Sequence, residues 1–188
     1  MLLSDIDFSA LTDCTDPNRW GAGTSQDRRM FRSTDRYYKV WGERFVAQTV
    51  AAVGGKFVPV RNLKLLHGFD TGLFLPELSG ALEEFIYDST GIVRGYVTMR
   101  GKHPTFVPDD FVDLLFGATL NSGWVFSDLK IGNVIKIGET HSLIDFDTHL
   151  SSLADFDIEF ERKSGSLRDH VVSRYKDRLL DHIENCKQ

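Results

Sequence analysis

The sequence predicts an α+β fold, with a mainly antiparallel sheet and one short helix in its first half and a mainly helical second half. Three observations carry this expectation. Two runs rich in apolar and aromatic residues, Leu82–Tyr87 and Ile92–Met99, flank Asp88-Ser-Thr-Gly91, a sequence suited to a hairpin turn. Phe111, Leu114, Leu115, Ala118 and Leu120 recur at helical spacing after Asp109-Asp110, and Leu167, Val171, Tyr175, Leu179 and Ile183 follow at steps of four. Finally, 188 residues that are 41% hydrophobic and 26% charged can bury a sizeable core as one compact unit, with room for two small lobes.

Taken in order, residues 1–19 are rich in Ser, Thr, Asp and Asn, which predicts a partly ordered tail or an added sheet edge without chemistry. Trp20-Gly-Ala-Gly-Thr-Ser25 is a small-residue turn. The stretch from there to Lys39-Val-Trp41 contains Met30-Phe31 and Tyr37-Tyr38, so strand, turn, strand is expected. From Glu43 to Val53, Phe45, Val46, Thr49, Val50 and Val53 recur at helical spacing, and Gly54-Gly55 supplies a stop. Phe57–Val60 and Leu73–Leu75 read as further extended segments ahead of the hairpin. Asp109-Asp110 are expected to cap a helix running to about Asn121, which Ser122-Gly123 ends. After Asp147, Asp155–Glu161 alternates acidic and apolar residues with period two, as a half-exposed strand does. Ser164-Gly-Ser166 breaks that strand, and a closing helix is expected over Leu167 to Cys186.

Composition narrows the function. A net charge of −5 without any long Lys/Arg run argues against nucleic acid or an anionic membrane surface as the main partner. A protein or a nucleotide fits better. Cys14 and Cys186 lie near opposite ends, with no C-x-x-C and no histidine cluster around them, so two reduced thiols are expected rather than a zinc site or a disulfide. His103, His141, His149 and His170 have no metal-site spacing. No 18-residue apolar stretch occurs, and the start lacks a basic region followed by an apolar run. A soluble chain without a cleaved export signal is expected, a reading that leaves room for delivery by a specialised secretion machine.

The chemistry concentrates in residues 123–150. There Asp128-Leu-Lys130-Ile-Gly-Asn133 precedes an apolar run that ends in Asp145-Phe-Asp147, 17 residues after Asp128. This is the layout of a phosphoryl-transfer site. Asp128 can accept a substrate hydroxyl proton, and Lys130 can neutralise the moving phosphoryl group. Asn133 and Asp145 can hold the Mg²⁺ ions that bridge ATP phosphates. Asp147 is either a further ligand or an exposed turn residue.

With these residues in view, the chain resembles a protein kinase over nearly all of an abbreviated catalytic core. The resemblance implies a two-lobed kinase-like fold: a tail at 1–19, an antiparallel β N-lobe with one short helix at 20–100, and a truncated, mainly helical C-lobe at 101–188. It also implies a nucleotide site. Gly21, Gly23, Thr24 and Ser25 resemble the first half of a glycine-rich loop over ATP, without the third glycine. Lys39, 18 residues after Gly21, resembles the strand lysine that grips the phosphates. Its usual helix glutamate would be Glu43, with Gln48 at the mid-helix place and Asp145 or ATP as other ways to fix Lys39. Val97-Thr-Met-Arg-Gly101 resembles the hinge, with Met99 or Val97 lining the adenine pocket.

Departures from the kinase pattern are specific. Phe126-Ser127 stands where His-Arg usually precedes the catalytic Asp, so no receiver for an activation-loop phosphate is expected. No Ala-Pro-Glu follows, and only 41 residues remain after Asp147. This reduced architecture is similar to the minimal effector kinases that bacteria deliver by type III secretion, the OspG/NleH type and the HopBF family. That similarity implies phosphorylation of Ser/Thr on a host protein, such as a chaperone or ubiquitin-pathway protein, in the host cytoplasm; the alternative location is the bacterial cytoplasm. Lys130 favours a protein over a small-molecule substrate. The rival expectations are nucleotidyl transfer on the same fold, and a pseudokinase that acts as a binding module.

Overall fold

Alternating residues build the sheet, and the alternation decides what each face can do. The computed structural model describes residues 1–15, 28–42, 76–126, 129–145, 150–153 and 172–186. These residues form an α+β structure. Strands β1 (Thr12–Asp13), β2 (Arg28–Arg32), β3 (Arg36–Trp41), β4 (Leu82–Tyr87) and β5 (Val93–Met99) make one antiparallel sheet in the order β1-β2-β3-β5-β4. Lys39 pairs with Tyr96, and Tyr38 pairs with both Phe31 and Val97. Because successive side chains take opposite faces, Lys39, Trp41 and Tyr96 share one face while Phe31, Tyr38 and Val97 share the other.

The first face meets the main core. Trp41, Phe85 and Tyr96 join one apolar cluster with Phe111, Val112 and Leu115 of helix α2 (Asp109–Ser122) and Tyr175, Leu179 and Ile183 of helix α3 (Ser173–Asn185). On the second face, Phe31, Ile86 and Val97 are buried outside that cluster. The N-terminal segment packs on this face at Phe31. Leu2 bridges Tyr87 at the β4 edge, the Phe8 ring lies 4.6 Å from that of Phe31, and β1 adds to β2 at the far edge. The added edge expected from residues 1–19 is therefore present as β1, and the residues before it form a strap across the sheet.

The expected hairpin is there, and Asp88 organises it. Its carboxylate accepts from the Thr90 N–H, the Thr90 hydroxyl and the Ile92 N–H at 2.6–3.0 Å, while Gly91 takes φ 80°. Strand β5 starts at Val93 rather than Ile92, because both backbone groups of Ile92 are used in closing the turn on Asp88.

Further boundaries differ from expectation. Pro76–Ser79 forms a short helix, α1, in a stretch for which no element was expected; proline at its first position and Gly80 after it are the signals that would have revealed it. The N-cap of α2 is Pro108, whose carbonyl accepts from Val112, and Asp109 and Asp110 lie in the first turn, where they face the positive helix end. Gly123, at φ 71°, ends α2 as expected, but of the apolar residues expected on its buried side Leu114 and Leu120 are exposed, and Val112 and Thr119 are buried instead. Helix α3 begins at Ser173, since Val172 has a non-helical backbone and donates its N–H to the Leu129 carbonyl at 2.8 Å. Cys186 Sγ lies 3.6 Å from His182 Nε2, one turn earlier in α3. The expected helix at 43–53, the segments Phe57–Val60, Leu73–Leu75 and Asp155–Glu161, and Leu167–Val171 lie outside the described residues. Among the described residues, no helix is long and apolar enough to cross a membrane.

Hydrogen bonds from Thr90, then from Ile92, hold the Asp88 carboxyl down to about 2. A depressed carboxylate contributes stability above its unfolded value, near pH 4, and loses it as pH falls through the folded value. The β4–β5 turn is therefore expected to loosen between about pH 4 and pH 2. Amide shifts of Thr90 and Ile92 followed by NMR should titrate together in that window in wild type, and should show no such step in Asp88→Asn.

Candidate active site

The second half of the chain places its polar residues by short, mutually pinned elements. After Gly123, strand β6 (Trp124–Phe126) pairs antiparallel with β9 (Leu150–Ser152), so the chain before residue 127 and the chain after residue 149 are held side by side. Leu129 is fully buried and its carbonyl anchors Val172. A single 3-10 turn, Ile131–Asn133, follows, closed by the Asn133 N–H to the Lys130 carbonyl at 2.9 Å. Asn133 is 3% exposed. Strands β7 (Val134–Ile137) and β8 (Thr140–Leu143) then form the short hairpin expected between loop and acidic residue, with Gly138 at φ 59° in its two-residue turn.

This hairpin brings the two ends of the constellation together. The Ile144 N–H donates to the Asn133 carbonyl at 2.9 Å, which sets Asp145 one residue beyond Asn133's partner. Asp145 has φ 67° and is the one described non-glycine residue with positive φ. Such a conformation costs on the order of 1–3 kcal/mol and survives where surrounding contacts over-determine it.

Lys39 comes to this point from the sheet. Its ammonium forms an ion pair with the Asp145 carboxylate, across 106 residues of sequence, and lies 5.7 Å from the centroid of the Tyr96 ring. The Lys39 side chain is 6% exposed and that of Asp145 26%. Breaking a buried pair by removing one partner typically costs roughly 3–5 kcal/mol, because the other charge is stranded. Glycine at position 95 lets β5 lie close against the backbone of β3 at Lys39: a Cβ there would sit 2.0 Å from the Lys39 carbonyl oxygen.

Of the residues expected at the site, Lys39, Lys130, Asn133 and Asp145 are described. Lys130 and Asn133 share one turn, and Asn133 and Asp145 are linked through Ile144. Asp128, Gly21, Gly23, Thr24, Ser25, Glu43, Gln48 and Asp147 lie outside the described residues. The expectation that Met99 or Val97 lines the pocket with its side chain meets the register: Met99 pairs with Arg36 and Val97 with Tyr38, on the face opposite Lys39. Between Val97 and Met99 it is Thr98, also buried, whose side chain lies on the Lys39 face. Sequence reasoning also passed over Ser142. Its buried hydroxyl accepts the Ala81 N–H at 2.9 Å and ties the hairpin to the start of β4.

Asn133 and Asp145, linked through Ile144, carry hard oxygen donors, one neutral and one anionic, of the kind that suits Mg²⁺. No group of three or more His, Cys, Asp and Glu side chains placed to hold a metal occurs among the described residues. The chain matches no protein-family model and no curated protein.

Two glycine substitutions separate packing from propensity. Gly95→Ala forces Cβ against the backbone of β3 and is expected to destabilise the protein by at least about 1–3 kcal/mol. Gly117→Ala, in α2 with nothing within 4 Å of the added methyl, should stabilise it by roughly 0.5–1 kcal/mol. Urea midpoints at unchanged m-value check both.

Proposed function

We propose that the protein is a minimal, two-lobed protein kinase-like enzyme that transfers the γ-phosphoryl group of ATP to a Ser or Thr hydroxyl of a protein. The observation that carries this reading is the Lys39–Asp145 ion pair, which joins a strand lysine to the acidic residue following the Asp128–Asn133 loop. A buried ammonium beside a carboxylate, with a buried amide residue pinned next to it, is a fitting receptor for polyphosphate and a divalent cation. Solvated turn residues would have no reason to converge from so far apart in sequence.

In this reading Lys39 positions the ATP phosphates, and Asn133 and Asp145 would hold Mg²⁺, which neutralises phosphate charge when bound. Asp128 orients the hydroxyl and takes its proton, while Lys130 offsets charge on the transferred group. The adenine would be met by backbone around Gly101 rather than by the Met99 side chain. The amides of Met99, Arg100 and Lys102 already donate to Ala81, Asp35 and Lys136 at 2.8–3.0 Å. With Phe126-Ser127 in place of His-Arg, activity would not wait on activation-loop phosphorylation. The resemblance to secreted effector kinases extends the proposal to a host protein substrate, a chaperone or ubiquitin-pathway protein, met in the host cytoplasm after delivery by a specialised secretion system.

Incubation with labelled ATP, Mg²⁺ and host lysate is expected to label a protein band. Asp128→Ala and Asp145→Ala should each lower incorporation by at least about 10²-fold, with circular dichroism showing both still folded. Wild-type-like labelling by Asp145→Ala would overturn the metal assignment. Addition of a nucleotide rather than a phosphate mass to the target would replace the reading with nucleotidyl transfer. Absence of Mg²⁺–ATP binding by calorimetry, with tight capture of a partner, would replace it with a binding module.

A further inference from the structure

We propose that His182 and Cys186, on the last turn of α3, form a two-residue chelate for a thiophilic divalent cation, with Zn²⁺ as the fitting ion. This site is separate from the constellation around Asp145 and calls on different chemistry. His and Cys four residues apart on a helix project from the same face. Here Cys186 Sγ and His182 Nε2 stand 3.6 Å apart. In a tetrahedral zinc site, with Zn–S about 2.3 Å and Zn–N about 2.0–2.1 Å, the edge between sulfur and nitrogen is roughly 3.5–3.6 Å. The two donor atoms therefore already sit at the separation that the ion requires.

Three further features favour a cation at this place. The imidazole is held edge-on to the Phe116 ring, with centroids 6.4 Å apart and planes at 84°, which limits its rotation much as an outer-shell partner limits a metal-bound histidine. The pair lies at the C-terminal end of a 13-residue helix, where the helix dipole favours positive charge. Cys186 is exposed, so an ion can reach it, and binding would displace the thiol proton to solvent. Two protein ligands leave the remaining positions of a tetrahedral ion to water, which makes the site exchangeable, unlike the closed four-ligand sites that hold a fold together.

Cobalt(II) is the probe, because a thiolate ligand gives it a near-ultraviolet charge-transfer band that oxygen ligands around Asn133 and Asp145 cannot produce. Titration of the reduced full chain is expected to give the band at one equivalent, reversed by added Zn²⁺. It should persist in Cys14→Ser, vanish in Cys186→Ser, and need about tenfold more cobalt or more in His182→Ala. No band in wild type, a band that survives Cys186→Ser, or an unchanged affinity in His182→Ala would each overturn the chelate and leave the pair as a hydrogen bond. The far-ultraviolet circular dichroism of each variant should match wild type, since Cys186 is exposed and His182 sits in the final turn.

Discussion

An ammonium group buried in the sheet face is the constraint around which the described structure is arranged. A lysine side chain that is 6% exposed has little water left, and each unpaired charge in such surroundings costs several kcal/mol. Asp145 supplies the counter-charge from the other half of the chain, so the sheet and the β7–β8 hairpin must meet within the reach of two side chains. The contacts that secure this meeting are ordinary ones. Ser142 holds Ala81, Lys102 and Lys136 exchange a pair of backbone hydrogen bonds at 2.7 and 3.0 Å, and Gly101 lies so close that a Cβ would be 2.7 Å from the Lys136 carbonyl. The apolar cluster draws the two halves together without direction, and these polar contacts fix their register.

The loop side of the site is held from beneath by the last described helix. Val172 grips the Leu129 carbonyl just before Ser173 starts α3, and Tyr175 reaches across the core to hydrogen-bond Thr119 of α2 at 3.0 Å. Full burial pushes the Tyr175 phenol up to about 12, so it stays neutral and the bond is kept across any working pH. On the surface above, Arg174 engages Asp109 and Asp113, and Arg178 engages Asp113. These exposed pairs add little stability, but they set the mutual rotation of two helices whose ends frame the loop.

Much of this was legible in the sequence, and the pattern of what was not has physical causes. The β4–β5 hairpin and α2 were readable because Asp88-Ser-Thr-Gly91 and Gly123 announce their turns locally, and the hairpin between Asn133 and Asp145 because its length is set by spacing. Helix α3 was readable in its apolar steps but not in its start, since a long-range hydrogen bond to Leu129 holds Val172 out of the helix. The strap that packs on Phe31 was missed because residues 1–13 carry a loop-like composition, and only tertiary contact gives them a role. For the site, the polar residues stood out by type and spacing. Gly95 and Ser142 did not, because one works by lacking a side chain and the other by a single bond to a distant amide.

The choice of residue at position 145 is narrower than its charge alone would require. Its φ of 67° lies in the left-handed region, which a β-branched or bulky residue enters only under strain. Glycine would relax the backbone and leave Lys39 without its carboxylate. Asparagine tolerates the same φ but brings no charge, and glutamate brings the charge with a longer side chain and a less tolerant backbone. Aspartate alone satisfies both demands, and the Ile144 N–H bond to Asn133 holds the turn that imposes them. Backbone geometry and electrostatics thus select the same residue independently. A solvent-facing turn would impose neither demand.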